Sequence, residues 1–292
     1  MMDILTVLFP VLVCALIGAL WARSGTNFDT DFISRLVLNV GAPCLMLSVL
    51  GGIEIDLVAF NQTALACILI ASLMSLAGWL IPKACGDDVR TYFPSFVFPN
   101  VGNMGLPVCL FAFGDEGLAL ALAFFMMLSV AHFPVGILAA GGSQAGGWRG
   151  LFKMPILYAI ALSLLLLWFD VRLPELLQNP IVLIGGMTIP LMLITLGVSL
   201  VRLQITAWRK ALFYSVCRVA GGLLAGLLVV WLLELEGTVR GVVLLQASMP
   251  VAVFNYLFAV RYQRQPEAIA GLVVTSTLLS FVTLPLLLWW LL

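Results

Sequence analysis

Residues 116–134, EGLALALAFFMMLSVAHFP, and 267–285, EAIAGLVVTSTLLSFVTLP, are two versions of one apolar helix. Each runs from Glu to Pro in 19 residues. Glu116 matches Glu267, Ala119 matches Ala270, Leu128 matches Leu279, Ser129 matches Ser280 and Pro134 matches Pro285. The offset is 151 residues, and Pro10 with Pro155, Pro43 with Pro190 and Pro107 with Pro250 pair at similar offsets. In an apolar chain such a duplication predicts a transporter built from repeats, with its site where the repeats meet.

Composition sets the class. The chain has 292 residues, of which 63% are apolar and 10% charged. A soluble domain of this size cannot hide that much apolar surface, and runs of about 20 apolar residues recur along it. The reading is an all-α integral membrane protein lying in the lipid bilayer. The start, MMDILTVLFP, has no basic stretch and no small-residue cleavage site, so its first apolar run is expected to be a retained span. A formal net charge of zero singles out no partner, and no nucleic acid is expected. The six Cys (14, 44, 67, 85, 109 and 217) lie mostly within apolar runs without CxxC spacing, which suits packing rather than disulfides or metal.

Ten spans are predicted, at about 3–22, 32–50, 57–81, 90–113, 116–139, 152–169, 180–200, 209–232, 239–261 and 267–291. Residues 1–140 form a first five-helix repeat, 141–151 a cytoplasmic linker and 152–292 a second repeat. Of the 14 Lys and Arg, 11 flank the odd-numbered loops, from Arg23 and Arg35 to Arg261 and Arg264. Basic loops stay in the cytoplasm, so both termini are expected outside the plasma (inner) membrane. Five spans per repeat is an odd number, so the second copy enters from the opposite side as a 5+5 inverted repeat.

Helices four and nine are expected to be broken and to cross. Span four carries Pro94, Pro99, Gly102, Gly105 and Pro107, with Asn100 and Asn103 among them. An interior Pro costs an ordinary helix roughly 3 kcal/mol, and backbone groups it frees cannot face lipid. Span nine holds the matching QASMP at Gln246–Pro250, with Asn255 a turn later. Pro107 and Pro250 suit the first position of a new half-helix, which would aim the amides near Val108–Cys109 and Val251–Ala252 into the gap. Two helix N-termini meeting there make a positive pocket for an anion such as a carboxylate, with Asn100, Asn103, Gln246 and Ser248 adding neutral hydrogen bonds.

PNVGNMGLP (99–107), QASMPVAVFNYLFAVRY (246–262) and CRVAGG (217–222) resemble the auxin efflux carrier family, which includes plant exporters and bacterial organic-acid carriers. The resemblance implies the fold of bile acid:sodium symporters, with spans 1, 2, 6 and 7 as a scaffold and the rest as a mobile transport bundle. It also implies elevator-type alternating access, and a homodimer through the scaffold. The plant exporters have a long central loop; here it is about ten residues, and a plant-hormone substrate does not carry over.

Single residues refine the expectation. All 14 Asp and Glu sit at span ends or in loops, so a carboxylate proton relay is not expected, whereas sodium held by neutral oxygens is compatible. Arg218 lies within a span, where a charge costs about 2.5–3.5 kcal/mol. Two roles suit it: pairing with carbonyls of the broken helices, or contact with the substrate anion. His132, the lone His, suits packing or proton transfer; Asn39 suits a scaffold kink or an arm reaching the site. Thr275 and Ser276 are expected to bond their own helix. Trp residues cluster at span ends as interfacial anchors.

No HExxH, no GxSxG and no two-His set is present, so no enzyme activity, cofactor or metal site is expected. The expected substrate-binding residues are Asn100, Asn103, Pro107, Val108, Gln246, Ser248, Pro250, Val251 and Asn255, with Asn39, Arg218 and His132 auxiliary. The expected function is export of a small organic anion, active or facilitative. A sodium-coupled symporter of the same fold, and a membrane sensor or channel, are the alternatives.

Overall fold

The computed structural model describes residues 2–51, 56–140, 155–169, 171, 173–203 and 207–292. Helix α1 spans Met2–Arg23, α2 Thr30–Leu36, α3 Ala42–Leu50, α4 Leu57–Ala84, α5 Val89–Val97, α6 Leu106–Ala140 and α7 Pro155–Trp168. Then come α8 Glu175–Gly186, α9 Thr188–Arg202, α10 Trp208–Leu232, α11 Gly237–Ala247, α12 Phe254–Arg261 and α13 Pro266–Leu291. Two π turns join them: π1 at Val37–Gly41 and π2 at Val101–Gly105. The only strand-like feature among the described residues is an isolated antiparallel bridge between Pro99 and Val251.

Among the described residues, seven helical runs are long and apolar enough to cross a membrane: Ile4–Arg23, Thr30–Leu50, Leu57–Ala84, Val101–Ala131, Glu175–Arg202, Trp208–Leu232 and Pro266–Leu291. Pro155–Trp168 is apolar but shorter. The stretch expected as span nine is two short helices, α11 and α12, separated by Ser248–Val253. The linker 141–151, with Trp148 and Arg149, lies outside the described residues, as do Lys153 and Arg172.

Three aspartates cap helix starts. Asp29, Asp56 and Asp88 each accept a backbone N–H from the first turn of α2, α4 and α5. Such caps satisfy donors that the helix itself cannot. Trp21, Trp79, Trp168, Trp208, Trp231, Trp289 and Trp290 are all exposed and lie near helix ends, as interfacial anchors do.

Both π turns have one cause. VLNVGAP at 37–43 and VGNMGLP at 101–107 share Val, Asn, Gly and Pro at the same places, and each forms a π turn over its first five residues. Ala42 N–H reaches back to Val37 O, and Leu106 N–H to Val101 O. A proline ring clashes with the carbonyl four residues back in an α-helix; the wider turn moves that carbonyl aside.

Packing divides the helices into two groups. Helices α1, α2 and α3 pack with α7, α8 and α9; helices α4, α5 and α6 pack with α10, α11 and α13, which α12 joins through α13. Small residues bring α1 and α9 together: a Cβ on Gly18 would strike Ile194 O, and one on Gly197 would strike Ala15 O. The groups meet where α9 lies on π2 and where α1 and α3 lie on α6.

Candidate functional site: a crossing of two non-helical segments

The segments Phe98–Asn100 and Ser248–Val253 cross inside the second group and pair backbone to backbone. Asn100 N–H donates to Pro250 O at 2.7 Å, and Ala252 N–H donates to Phe98 O at 3.3 Å. Asn255 locks the pair: its Nδ2 donates to Phe98 O at 2.9 Å and to Ala252 O at 3.1 Å. Val251 N–H donates to Ser276 Oγ of α13 at 3.0 Å. Backbone freed by Pro99 and Pro250 therefore finds partners across the crossing, as an apolar interior demands.

Two expected helix starts are corrected. Pro107 is not the first residue of its half-helix, because helical turns begin at Val101 and run through Leu106. Val108 and Cys109 are thus interior to the helix and fully buried. Pro250 precedes α12 by four residues, and the amides after it are already used, Val251 on Ser276 and Ala252 on Phe98. Among the described residues, Val253 N–H before α12 has no backbone partner, and neither have the amides of Gly102 and Asn103 in the first turn of π2. There Val101 N–H goes to Pro99 O, Met104 and Gly105 N–H both go to Asn100 O, and no side chain caps the turn.

Asn100, Gln246, Ser248 and Asn255 are buried, while Asn103 is half-buried in π2. Ser248 Oγ turns back to Leu244 O at 2.7 Å, closing the end of α11. Gln246 Nε2 reaches Ala121 O at 3.4 Å, and its Oε1 lies over Gly105, where a Cβ would collide with it. Asn100 Nδ2, Gln246 Oε1 and Asn255 Oδ1 are buried without hydrogen-bond partners. Asn39 is exposed in π1, which packs on α7, α8 and α9. His132 falls in α6, and its side chain lies outside the described residues.

Arg218 is 1% exposed, and its Nη1 donates to Ala247 O at 3.2 Å, at the C-terminal end of α11. Its Nε has no partner. Of the two expected partners, a carbonyl of a broken helix is the one Arg218 meets in this structure.

Ser276 is expected to bond its own helix. It does so, to Val273 O at 3.2 Å, and also accepts the Val251 amide. Thr275 does not: its hydroxyl is buried without a partner. A second cluster at the start of α10 also escapes a linear reading. Asp87 accepts from Lys210 Nζ and from Tyr214 OH at 2.7 Å, while Tyr214 stacks on Tyr92 with ring centres 4.2 Å apart. The adjacent acids Asp87 and Asp88 after a glycine were the available signal. Burial alone would raise the Asp87 carboxyl, but the hydrogen bonds from Lys210 and Tyr214 outweigh it and hold it below the usual range. Among the described residues no cluster of His, Cys, Asp and Glu suits a metal ion.

The family model described as "Membrane transport protein" matches residues 3–139 and 144–288. The chain is similar to an uncharacterized transporter of Methanothermobacter thermautotrophicus, 27% identical over 290 residues and covering 94% of each protein. It is also similar to an uncharacterized transporter of Methanocaldococcus jannaschii, 26% identical over 235 residues, covering 76% of this chain and 75% of the relative. The chain belongs to this membrane transport family, that of the auxin efflux carriers, and is a multi-pass membrane transporter rather than an enzyme.

Proposed function

We propose that the protein exports a small organic anion by alternating access, with the substrate held where Phe98–Asn100 crosses Ser248–Val253. The observation that carries this reading is the Asn100–Pro250 pairing beside a set of open polar groups in an apolar bundle. Open donors (Asn100 Nδ2 and the first-turn amides of Gly102 and Asn103) suit a carboxylate. The open acceptors Gln246 Oε1 and Asn255 Oδ1 suit a hydroxyl or a protonated carboxyl. A negative-inside potential favours anion exit by about 2.3 kcal/mol per charge per 100 mV.

The reading counts ten spans: α1; α2–π1–α3; α4; α5–π2 with α6 to Gly114; the rest of α6; α7; α8–α9; α10; α11–α12; and α13. Gly114 supports the division of α6, because its φ of 67° and ψ of −154° interrupt the helix in a region open essentially to glycine alone. Packing is mirrored between the five-span halves: α4 contacts α5 and α6 as α10 contacts α11 and α13. Such an inverted repeat suits elevator movement of the second group past α1–α3 and α7–α9. The basic loops support a topology with both termini outside the cytoplasmic membrane.

The test is counterflow of labelled malate, malonate or 2-oxoglutarate in proteoliposomes. The wild type should exchange at least one of them saturably, and Asn103→Ala and Pro250→Ala should lose the exchange while remaining folded. Wild-type flux in both variants would remove the site from the crossing.

A further inference from the structure

We infer that Arg218 is a built-in cation at the C-terminal end of α11, standing where a coupling ion would otherwise bind, so that the carrier needs no sodium. Independence from sodium rests on the transport function proposed above; the cation site itself stands on the contacts around Ala247 O.

Helix α11 stops at Ala247 inside the bundle, and the last carbonyls of a helix have no donors of their own. Three are served locally. Ser248 N–H reaches Leu244 O and Leu245 O, Ser248 Oγ reaches Leu244 O, and Met249 N–H reaches Gln246 O at 3.4 Å. The fourth, Ala247 O, receives only Arg218 Nη1. A helix C-terminus carries about half a negative charge, and in apolar surroundings that end attracts a cation. In carriers with interrupted helices such ends commonly hold sodium or protons.

The guanidinium fits that position closely. Gly222, one turn along α10 from Arg218, makes room for it: a Cβ there would strike both Ala247 O and Arg218 Nη1. No carboxylate faces Arg218 among the described residues, where the ion pairs are Lys210–Asp87 and Arg264–Asp88. Its countercharge is thus the end of α11, not an acid. A fixed charge already seated there leaves a mobile cation neither space nor electrostatic reason to enter. The carbonyl that holds the guanidinium, Ala247 O, lies three residues before Pro250, so the positive charge sits beside the second crossing segment, where it favours an anion.

The experiment is thermal unfolding of the purified full-length protein in detergent, with NaCl replacing choline chloride at constant ionic strength. Wild type and Arg218→Lys should unfold at the same temperature in both salts. Arg218→Gln should unfold about 5 °C lower in choline, and sodium should raise that midpoint saturably, as the vacated position becomes a cation site. A saturable sodium response in the wild type or in Arg218→Lys overturns the inference, and either can be read even where Arg218→Gln does not fold. Equal behaviour of Arg218→Gln in sodium and choline overturns it as well. Because unfolding reads cation binding and not flux, its outcome is separable from that of the counterflow test.

Discussion

Asn255 and Phe98, 157 residues apart, are joined by a 2.9 Å hydrogen bond from the Asn255 amide to the Phe98 carbonyl. The same amide holds Ala252 O, so one side chain ties the first crossing segment to the second. That bond replaces helix hydrogen bonding which Pro99 and Pro250 remove, between residues that are both buried.

Asn255→Ala should therefore destabilise the protein by about 2 kcal/mol, since two carbonyls lose a buried donor. Asn255→Asp should not restore stability, because an ionised carboxylate has no N–H to give. Thermal unfolding in detergent measures both; an unchanged midpoint for Asn255→Ala would contradict the locking role.

Gly105→Ala drives a methyl group into Gln246 Oε1. The single variant should lose about 1–3 kcal/mol, the usual penalty for overpacking. Combining it with Gln246→Ala removes the clash, so the two changes should be non-additive by about 1 kcal/mol. Strict additivity in a double-mutant cycle would mean that the two residues do not press on one another.

Asp87 gives a pH signature. Its carboxyl is held below the usual range in the folded protein, because Lys210 and Tyr214 outweigh burial. A depressed carboxylate contributes stability above its unfolded value of about 4, and that contribution is lost as pH falls through the folded value. Asp87→Asn should thus unfold earlier than wild type at pH 7, by about 1 kcal/mol. The gap should close below about pH 4, and a gap independent of pH would show that the charge is not what stabilises the cluster.

Cys85 is the exposed thiol, at the end of α4 beside Lys83, and the other five Cys are buried or half-buried. With the basic loops in the cytoplasm, an impermeant maleimide should label it in inside-out vesicles and spare it in intact cells. Labelling from outside would invert the topology proposed here.

Much of the helix placement was legible in the composition. Apolar runs from 57 to 81 and from 209 to 232 lie within α4 and α10, because a membrane helix needs only length and apolarity to be seen. The prolines at 94, 99 and 250 also marked where helical hydrogen bonding would suffer. What could not be seen was how the chain would absorb each proline. Pro107 is accommodated within a helix by the π turn before it, whereas Pro99 and Pro250 stand in segments that left the helix altogether. The repeated V-x-N-x-G-x-P pattern at 37–43 and 101–107 was the signal for that difference, and one sequence alone does not say that it means a wider turn.

The sequence by itself determined that this chain crosses a membrane as apolar helices, that two stretches would lose helical bonding, and that acids would stay at helix ends. These follow from local composition and the missing N–H of proline, and need no knowledge of neighbours. Only the tertiary structure decided that Asn100 pairs with Pro250, that Ser276 takes the Val251 amide, and that Arg218 ends on Ala247. The physical reason is that an unwound backbone accepts any partner of the right polarity. Which one it meets depends on the register between helices far apart in the chain, set by close contacts such as Gly222 on Ala247 and Gly105 on Gln246.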